Sequence, residues 1–332
     1  MARIISGEIK ERLEQLKKAI EKYRYDYHVL DKETISPAAL DSLKYELVKI
    51  EQQYPELVTA DSPTQRVGGK PLAQFEKISH KVAQWSFNDA FSEEDIVEFD
   101  ARVKRFLGAT KVKPFSKSKV EPLSKSPRFD SIQGSTFLQT QGRTLAEPFL
   151  SPTYVCELKI DGLKVVLEYE KGLFVRAATR GDGKVGEDVT SNVKTIESVP
   201  LKLTKNIDII VEGEVWMPKS RLVLLNKEQK KLGLPGFANP RNVAAGSIRQ
   251  LDPKIAASRK LETFIYDIAA VNVEFPQNQA DELRFLQELG FKVNANFRLC
   301  SEIGKTIDYW KEWQKKSTKE DYLVDGVVIN VN

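Results

Sequence analysis

Cysteine and histidine are nearly absent from this chain: among 332 residues there are two of each. Cys156 and Cys300 lie far apart in sequence, and His28 and His80 stand alone. That inventory excludes a disulfide framework and a structural zinc cluster, which need several such residues at short, repeated spacings. No stretch approaches the roughly 18 apolar residues of a membrane-spanning helix. The amino end, Met1 to Ser6, lacks the apolar core of a signal peptide. A soluble, cytoplasmic, monomeric protein without a membrane partner is the expectation. A dominant charge sign is also missing, with 51 Lys and Arg against 47 Asp and Glu, so composition alone does not announce a nucleic-acid binder.

What is present suffices for a real core: 41% of residues are hydrophobic and 30% charged, and the length suits two units rather than one. The net charge of +4 equals the excess found between Gly108 and Thr153 alone, a segment that also holds seven serines and five prolines. It shows no sustained period and reads as a flexible basic linker or insertion. Contact with a DNA backbone is the alternative there, and Phe115, Phe129, Phe137 and Phe149 suit docking of parts of it on a neighbouring surface. Before it, Ile9, Leu13, Leu16, Ile20, Tyr23 and Tyr27 recur at spacings of three and four, which predicts an amphipathic helix. Ser36 and Pro37 start a second, with Leu40, Leu43, Leu47 and Ile50 on its apolar face and Tyr54-Pro55 at its end. A third is expected from about Glu93 to Phe106, after the Gly68 to Pro71 turn. The unit boundary is placed near residue 75, giving a helical unit over 1–75 and a second unit over 76–332 with 108–153 inserted.

The stretch from Tyr154 to Gly162 is the most informative. In a strand successive side chains alternate, so Glu157, Lys159 and Asp161 share one face while Tyr154, Cys156, Leu158 and Ile160 take the other. An exposed, ion-paired strand face is the plain reading of such a pattern. Gly162 weakens it by permitting a close turn. Lys164 to Tyr169 and Leu173 to Arg180, joined at Glu170-Lys171-Gly172, read as a hairpin that returns Arg180 to the same cleft. Further strands are expected over Asp208 to Trp216, Leu261 to Val271 and Leu323 to Val331. Helices are expected near Lys219 to Leu232, Gln277 to Leu289 and Ile303 to Lys316. The whole suggests an α+β fold with antiparallel sheets around a cleft. Gly181 to Gly186 also fits G-x-G-x-x-G, but a hairpin strand precedes it rather than the opening of a βαβ unit, so a dinucleotide oxidoreductase is set aside.

Lys159-Ile160-Asp161-Gly162 resembles the KxDG motif of covalent nucleotidyltransferases. With Ala177 to Val193, Phe237 to Asp252 and Asp325 to Ile329, the chain is similar to the bacterial NAD+-dependent DNA ligases over nearly its whole length outside 108–153. The resemblance implies an ATP-grasp-like ligase and mRNA-capping catalytic fold behind a helical domain that receives the nicotinamide mononucleotide (NMN) half of NAD+. It carries Tyr27, His28 and Asp41 onto that NMN role, and Lys159 onto the nucleophile that forms lysyl-AMP. Glu157 is implied to read the adenine amino group, with Ser86 and Phe87 lining the adenosine pocket. Arg180 holds ribose or phosphate in that scheme. Glu214 contacts ribose and holds the metal through water, Asp325 supports the adenylated lysine and metal, and Arg241 and Arg249 suit DNA phosphate. AMP then passes to the 5′-phosphate of nicked double-stranded DNA for sealing in replication and repair. A lysine ammonium is ordinarily free base only about one part in a thousand near pH 7.4, and neighbouring carboxylates worsen that. Mg²⁺ or Mn²⁺ is therefore the implied metal cofactor, beside NAD+.

The chain departs from the family pattern at Pro37 and Leu40, where an aspartate and a tyrosine are usual, at Glu212 in place of arginine, and at Asn330 in place of lysine. It stops at Asn332, before the OB fold, zinc module, helix-hairpin-helix region and BRCT domain that a complete ligase has, and reads as a fragment or a reduced relative. Two other readings stay open: a catalytically impaired, ligase-derived DNA-binding or scaffold protein, and an ATP-using nucleotidyltransferase.

Overall fold

The computed structural model describes residues 5–67, 72–107 and 151–332. The basic segment expected over 108–153 thus lies, save its last three residues, outside the described residues, as does the Gly68 to Pro71 turn.

Helix α1 (Gly7–His28) begins behind Ser6, whose Oγ accepts from the Ile9 amide, and α2 (Pro37–Gln53) behind Ser36, whose Oγ accepts from Ala39, both at 3.3 Å. These hydroxyls satisfy amides that have no partner inside the helix. Leu13, Leu16 and Ile20 of α1 pack on Leu47 of α2, with Leu40, Leu43, Ile50 and Leu57 partly buried around them. At about 1.5–3 kcal/mol per buried aliphatic side chain, four such residues make a small core.

Charge does much of the remaining joining. Arg66 is 4% exposed, and its Nη1 donates to the carbonyls of Ile196 and Val199 at 3.0 Å each. Arg24 donates to Glu197 O at 2.5 Å, Lys44 pairs with Glu197 at 3.5 Å, and Lys292 pairs with Asp31 at 2.9 Å. This docking corrects the face expected for α1. Arg24 and Lys17 are buried on it, whereas Tyr27 stands 54% exposed, because the last turns meet the polar ends of another unit rather than an apolar partner. Helix α3 (Glu93–Phe106) starts with a capping box of Ser92 and Asp95. It leans on Tyr154, whose hydroxyl donates to Asp100 at 2.6 Å, and Lys311 pairs with its Glu93 at 2.6 Å.

The strands among the described residues are β1 (Lys77–Ser79), β2 (Tyr154–Ile160), β3 (Leu163–Glu170), β4 (Leu173–Thr179), β5 (Val185–Glu187), β6 (Ile209–Trp216), β7 (Glu262–Val271), β8 (Arg298–Cys300) and β9 (Val324–Val331). They form three antiparallel sheets, in the orders β8-β2-β9, β4-β3-β6-β7 and β1-β5. The fold is α+β, as the sequence pattern implies. The longer expected strands and helices appear within about two residues of their anticipated ends. Two helices not anticipated, Pro240–Ile248 and Pro253–Arg259, begin behind the side-chain caps Asn239 and Asp252 with proline in the first turn. The short strands β1, β5 and β8 were also not anticipated.

Tyr154, Cys156, Leu158 and Ile160 enter an aromatic cluster with Trp216, Phe264, Tyr309 and Trp313, in which Trp216 stacks on Phe264 with centroids 5.1 Å apart. The four-stranded sheet packs instead on Val193, Ile196, Ile248, Leu283 and Phe291. Cys156 and Cys300, remote in sequence, lie across β2 and β8 as buried free thiols with sulfurs 3.8 Å apart. Among the described residues no helix is long and apolar enough to cross a membrane.

The chain leaves the three-stranded sheet at the end of β2 and enters the four-stranded sheet at β3, with only Asp161 and Gly162 between. Gly162 makes that step possible. A Cβ there would lie 2.2 Å from Val215 O and 2.9 Å from Glu214 Cγ, so only a hydrogen lets β6 come this close. The site sits at this seam.

Candidate active site

Alternation along β2 sends Glu157 and Lys159 away from the aromatic core, as expected, and both are partly exposed. Lys159 stands opposite Gly326 of β9, with a register shift just beyond it. Its Nζ donates to Asp325 Oδ2 at 2.5 Å, and this bond, with burial opposing, holds the Asp325 carboxyl below its ordinary range. The Asp161 amide donates to Leu323 O at 2.9 Å, which ties the seam to the start of β9. Asp161 Oδ1 accepts from Arg241 Nη1 at 2.8 Å. The helix Pro240–Ile248 therefore turns Arg241 toward the loop that follows Lys159.

Glu214 comes from β6, opposite Lys164 of β3. Burial pushes its carboxyl up to about 7, against the pull of Lys159, Arg241 and Lys164. Its ordinary value is 4.5, so the folded protein binds a proton there that the unfolded chain has lost. Stability contributed by protonated Glu214 is thus complete at low pH and falls as pH rises from about 4.5 toward about 7. In EDTA, Glu214→Gln is expected to flatten that part of the stability profile, measured by urea denaturation at stepped pH. An unchanged slope would assign the dependence to another group.

Glu157 Oε1 accepts from Asn330 Nδ2 at 3.0 Å and from Gln279 Nε2 at 3.2 Å. Sequence reasoning singled out Asn330 only as a departure, and Gln279 not at all, since nothing local marks a glutamine 122 residues away. Ser86 and Phe87 are exposed. Arg180 is exposed just beyond β4, and among the described residues no side-chain contact joins it to Lys159. Arg249 pairs with Glu187 at 2.9 Å rather than standing free. In the helical unit Tyr27 and His28 meet edge to face at 4.8 Å, His28 Nδ1 lies 3.0 Å from Glu262 Oε1 of β7, and Asp41 is exposed.

Among the described residues no group of three or more Cys, His, Asp or Glu is placed to ligate a metal. Asp161 and Asp325 are each engaged by a cation. Glu214, strongly desolvated and without a hydrogen-bonded partner among the described residues, is the acid that best fits a cation, whose other ligands would be water and phosphate.

Residues 129–332 match the sequence model of the NAD-dependent DNA ligase adenylation domain. Residues 6–68 match that of the DNA ligase-like, N-terminal NAD+-binding domain. The chain belongs to the NAD-dependent DNA ligase family. It is 44% identical to a DNA ligase of Thermotoga neapolitana and 43% identical to one of Thermotoga maritima, each over 330 residues, 99% of this chain and 42% of the relative. A DNA ligase of Desulforamulus reducens is 43% identical over 329 residues, covering 99% of this chain and 43% of that protein. The chain thus spans less than half the length of these ligases.

Proposed function

We propose that this chain carries out the first half-reaction of an NAD+-dependent DNA ligase, with Lys159 as the nucleophile. The observation that carries the reading is the placement of Lys159 at the seam, hydrogen-bonded to Asp325 and close enough to Glu214 for the two charges to interact. The Lys159 amine, once it gives up its proton, attacks the α-phosphorus of the adenylyl half. A phosphoramidate bond to Nζ forms, the bond to the NMN phosphate breaks, and NMN leaves with the electron pair. Asp325, facing Nζ at 2.5 Å, orients the amine. Arg180 takes the ribose or phosphate of the donor, Arg241 and Arg249 take DNA phosphate, and Glu157 reads the adenine edge while Asn330 and Gln279 fix its carboxylate. Mg²⁺ or Mn²⁺ near Glu214, when bound, supplies positive charge that offsets both the carboxylates and the developing phosphate charge. Tyr27, His28 and Asp41 take the NMN half, and the lysyl-AMP is then available to the 5′-phosphate of nicked DNA.

The match of residues 6–68 to the NAD+-binding domain favours NAD+ over ATP as donor. One observation favours a second reading, a non-catalytic derivative: Asn330 is a neutral amide engaged with Glu157 where the motif has a lysine, so one cation is missing from the nucleotide site. Incubation of the purified chain with Mg²⁺ and either NAD+ or ATP, followed by intact mass and peptide mapping, separates the readings. AMP on Lys159 from NAD+ alone is expected. A folded chain that takes AMP from neither donor would leave the non-catalytic reading.

A further inference from the structure

Lys164 and Glu212 have no part in the scheme above, yet they form a tight, largely buried pair beside it. Lys164 Nζ meets Glu212 Oε2 at 2.5 Å, with side chains 18% and 9% exposed. They sit diagonally across β3 and β6, Lys164 opposite Glu214 and Glu212 opposite Val166. Burial raises the Glu212 carboxyl, and Asp267 adds to that, while Lys164 and the Gln84 side chain oppose it. An ion pair in such a place is weak grounds for stability, because desolvation offsets its attraction. Its position suggests another use.

The same Nζ reaches Trp85 O at 3.4 Å. Gln84, 5% exposed, lies against Glu212 by its carboxamide, and its amide donates to Gly183 O at 2.8 Å. Gly183 has φ of 91°, and a Cβ there would fall 2.7 Å from Gln84 O, so the turn is cut to receive this backbone. Beyond these holds the chain runs into solvent: Trp85 is 47% and Phe87 54% exposed. The segment is gripped at its root, between the Gly183 turn on one side and the Lys164–Glu212 pair on the other.

We propose that Lys164 and Glu212 are a positioning pair that anchors the Gln84–Phe87 segment and thereby sets how firmly the adenosine end of the donor is held. The proposal rests on the reading of Ser86 and Phe87 as adenosine contacts. Neither residue touches the reacting atoms, so the effect belongs in substrate binding. Glu212→Gln keeps the shape of the side chain and removes the charge that fixes Lys164. In the full chain it is expected to raise about tenfold the NAD+ concentration that half-saturates the rate of lysyl-AMP formation, as the loss of one well-made contact does, with the limiting rate little changed. Acrylamide quenching of Trp85, taken as the difference from a Trp85→Phe background, is expected to rise. The double variant Lys164→Met/Glu212→Met removes the pair without leaving a lone buried charge and so spares the fold. A positioning role predicts that the half-saturating NAD+ concentration and Trp85 quenching stay raised in it. The proposal is overturned if Glu212→Gln leaves both where they were, or if the double variant restores both. Quenching is read without NAD+, so it decides the anchoring of Trp85 by itself. Absence of any adduct in the unaltered chain would strike the adenylation reading alone.

Discussion

Lys159→Arg is expected to abolish AMP transfer to the protein while leaving it folded. An arginine keeps the positive charge and can still reach Asp325, which now accepts from Nζ at 2.5 Å, so the β2–β9 pairing has no reason to fail. The chemistry fails for another reason. A guanidinium ordinarily holds its proton to much higher pH than an ammonium, which lowers the unprotonated fraction by at least about a hundredfold. Its nitrogens are also delocalised and poor at forming a phosphoramidate. Intact mass after incubation with NAD+ and Mg²⁺ should show the unaltered chain gaining one AMP and the variant none. Labelling that persists in Lys159→Arg would place the nucleophile elsewhere. Lys164 is the nearest lysine in sequence, but it is closed off by Glu212 at 2.5 Å.

Gly162→Ala is expected to damage both stability and adduct formation, although the residue carries no chemistry. The added methyl would meet Val215 O at 2.2 Å and Glu214 Cγ at 2.9 Å. Val215 lies on β6, an inner strand paired with β3 on one side and β7 on the other, so that carbonyl cannot retreat without breaking sheet bonds. Overpacking against a rigid wall costs about 3 kcal/mol. Relief by opening the seam would move Asp161 and Lys159 away from Glu214, and the adduct should be lost with it. Gly326→Ala is the control. It alters the glycine of the second Asp-Gly pair, opposite Lys159, where a Cβ meets nothing within 4 Å, and its melting temperature should stay near that of the parent. Equal melting temperatures for both variants would show that the seam yields more easily than its geometry implies.

That contrast also marks what a sequence can disclose. Asp161-Gly162 and Asp325-Gly326 look alike in the sequence, and nothing local tells that one glycine is wedged under β6 and the other stands in the open. The alternation of Tyr154 to Ile160 was legible because strand geometry forces it. The β3–β4 hairpin was legible because Lys171 and Gly172, at φ of 49° and 74°, occupy a turn that demands such residues. Helix α2 announced itself through Ser36-Pro37. Asn239-Pro240 and Asp252-Pro253 offered the same start signal, but the nine- and seven-residue helices behind them are too short to show a period. Polar contacts over long separations left no trace at all. Arg66 reaches carbonyls 130 and 133 residues away, and a residue that satisfies distant backbone has no reason to recur at any spacing. For the same reason Tyr27, placed by periodicity on the apolar face of α1, proves exposed, while Arg24 is buried. The pairing of Arg241 with Asp161 and of Asn330 with Glu157 belongs to this class, so motifs could propose members of the site but not these partners.

The strand that bears Lys159 takes both its neighbours, β8 and β9, from far along the chain: Lys159 and Asp325 stand 166 residues apart. Contacts of such separation are the last that a growing polypeptide can make, and they close slowly because the intervening chain must first be ordered. During synthesis, Glu157 and Lys159 emerge long before β9 exists to receive them. A ribosome-bound intermediate therefore has the motif but not the site, and the proposed adduct can form only after the rest of the body has been assembled.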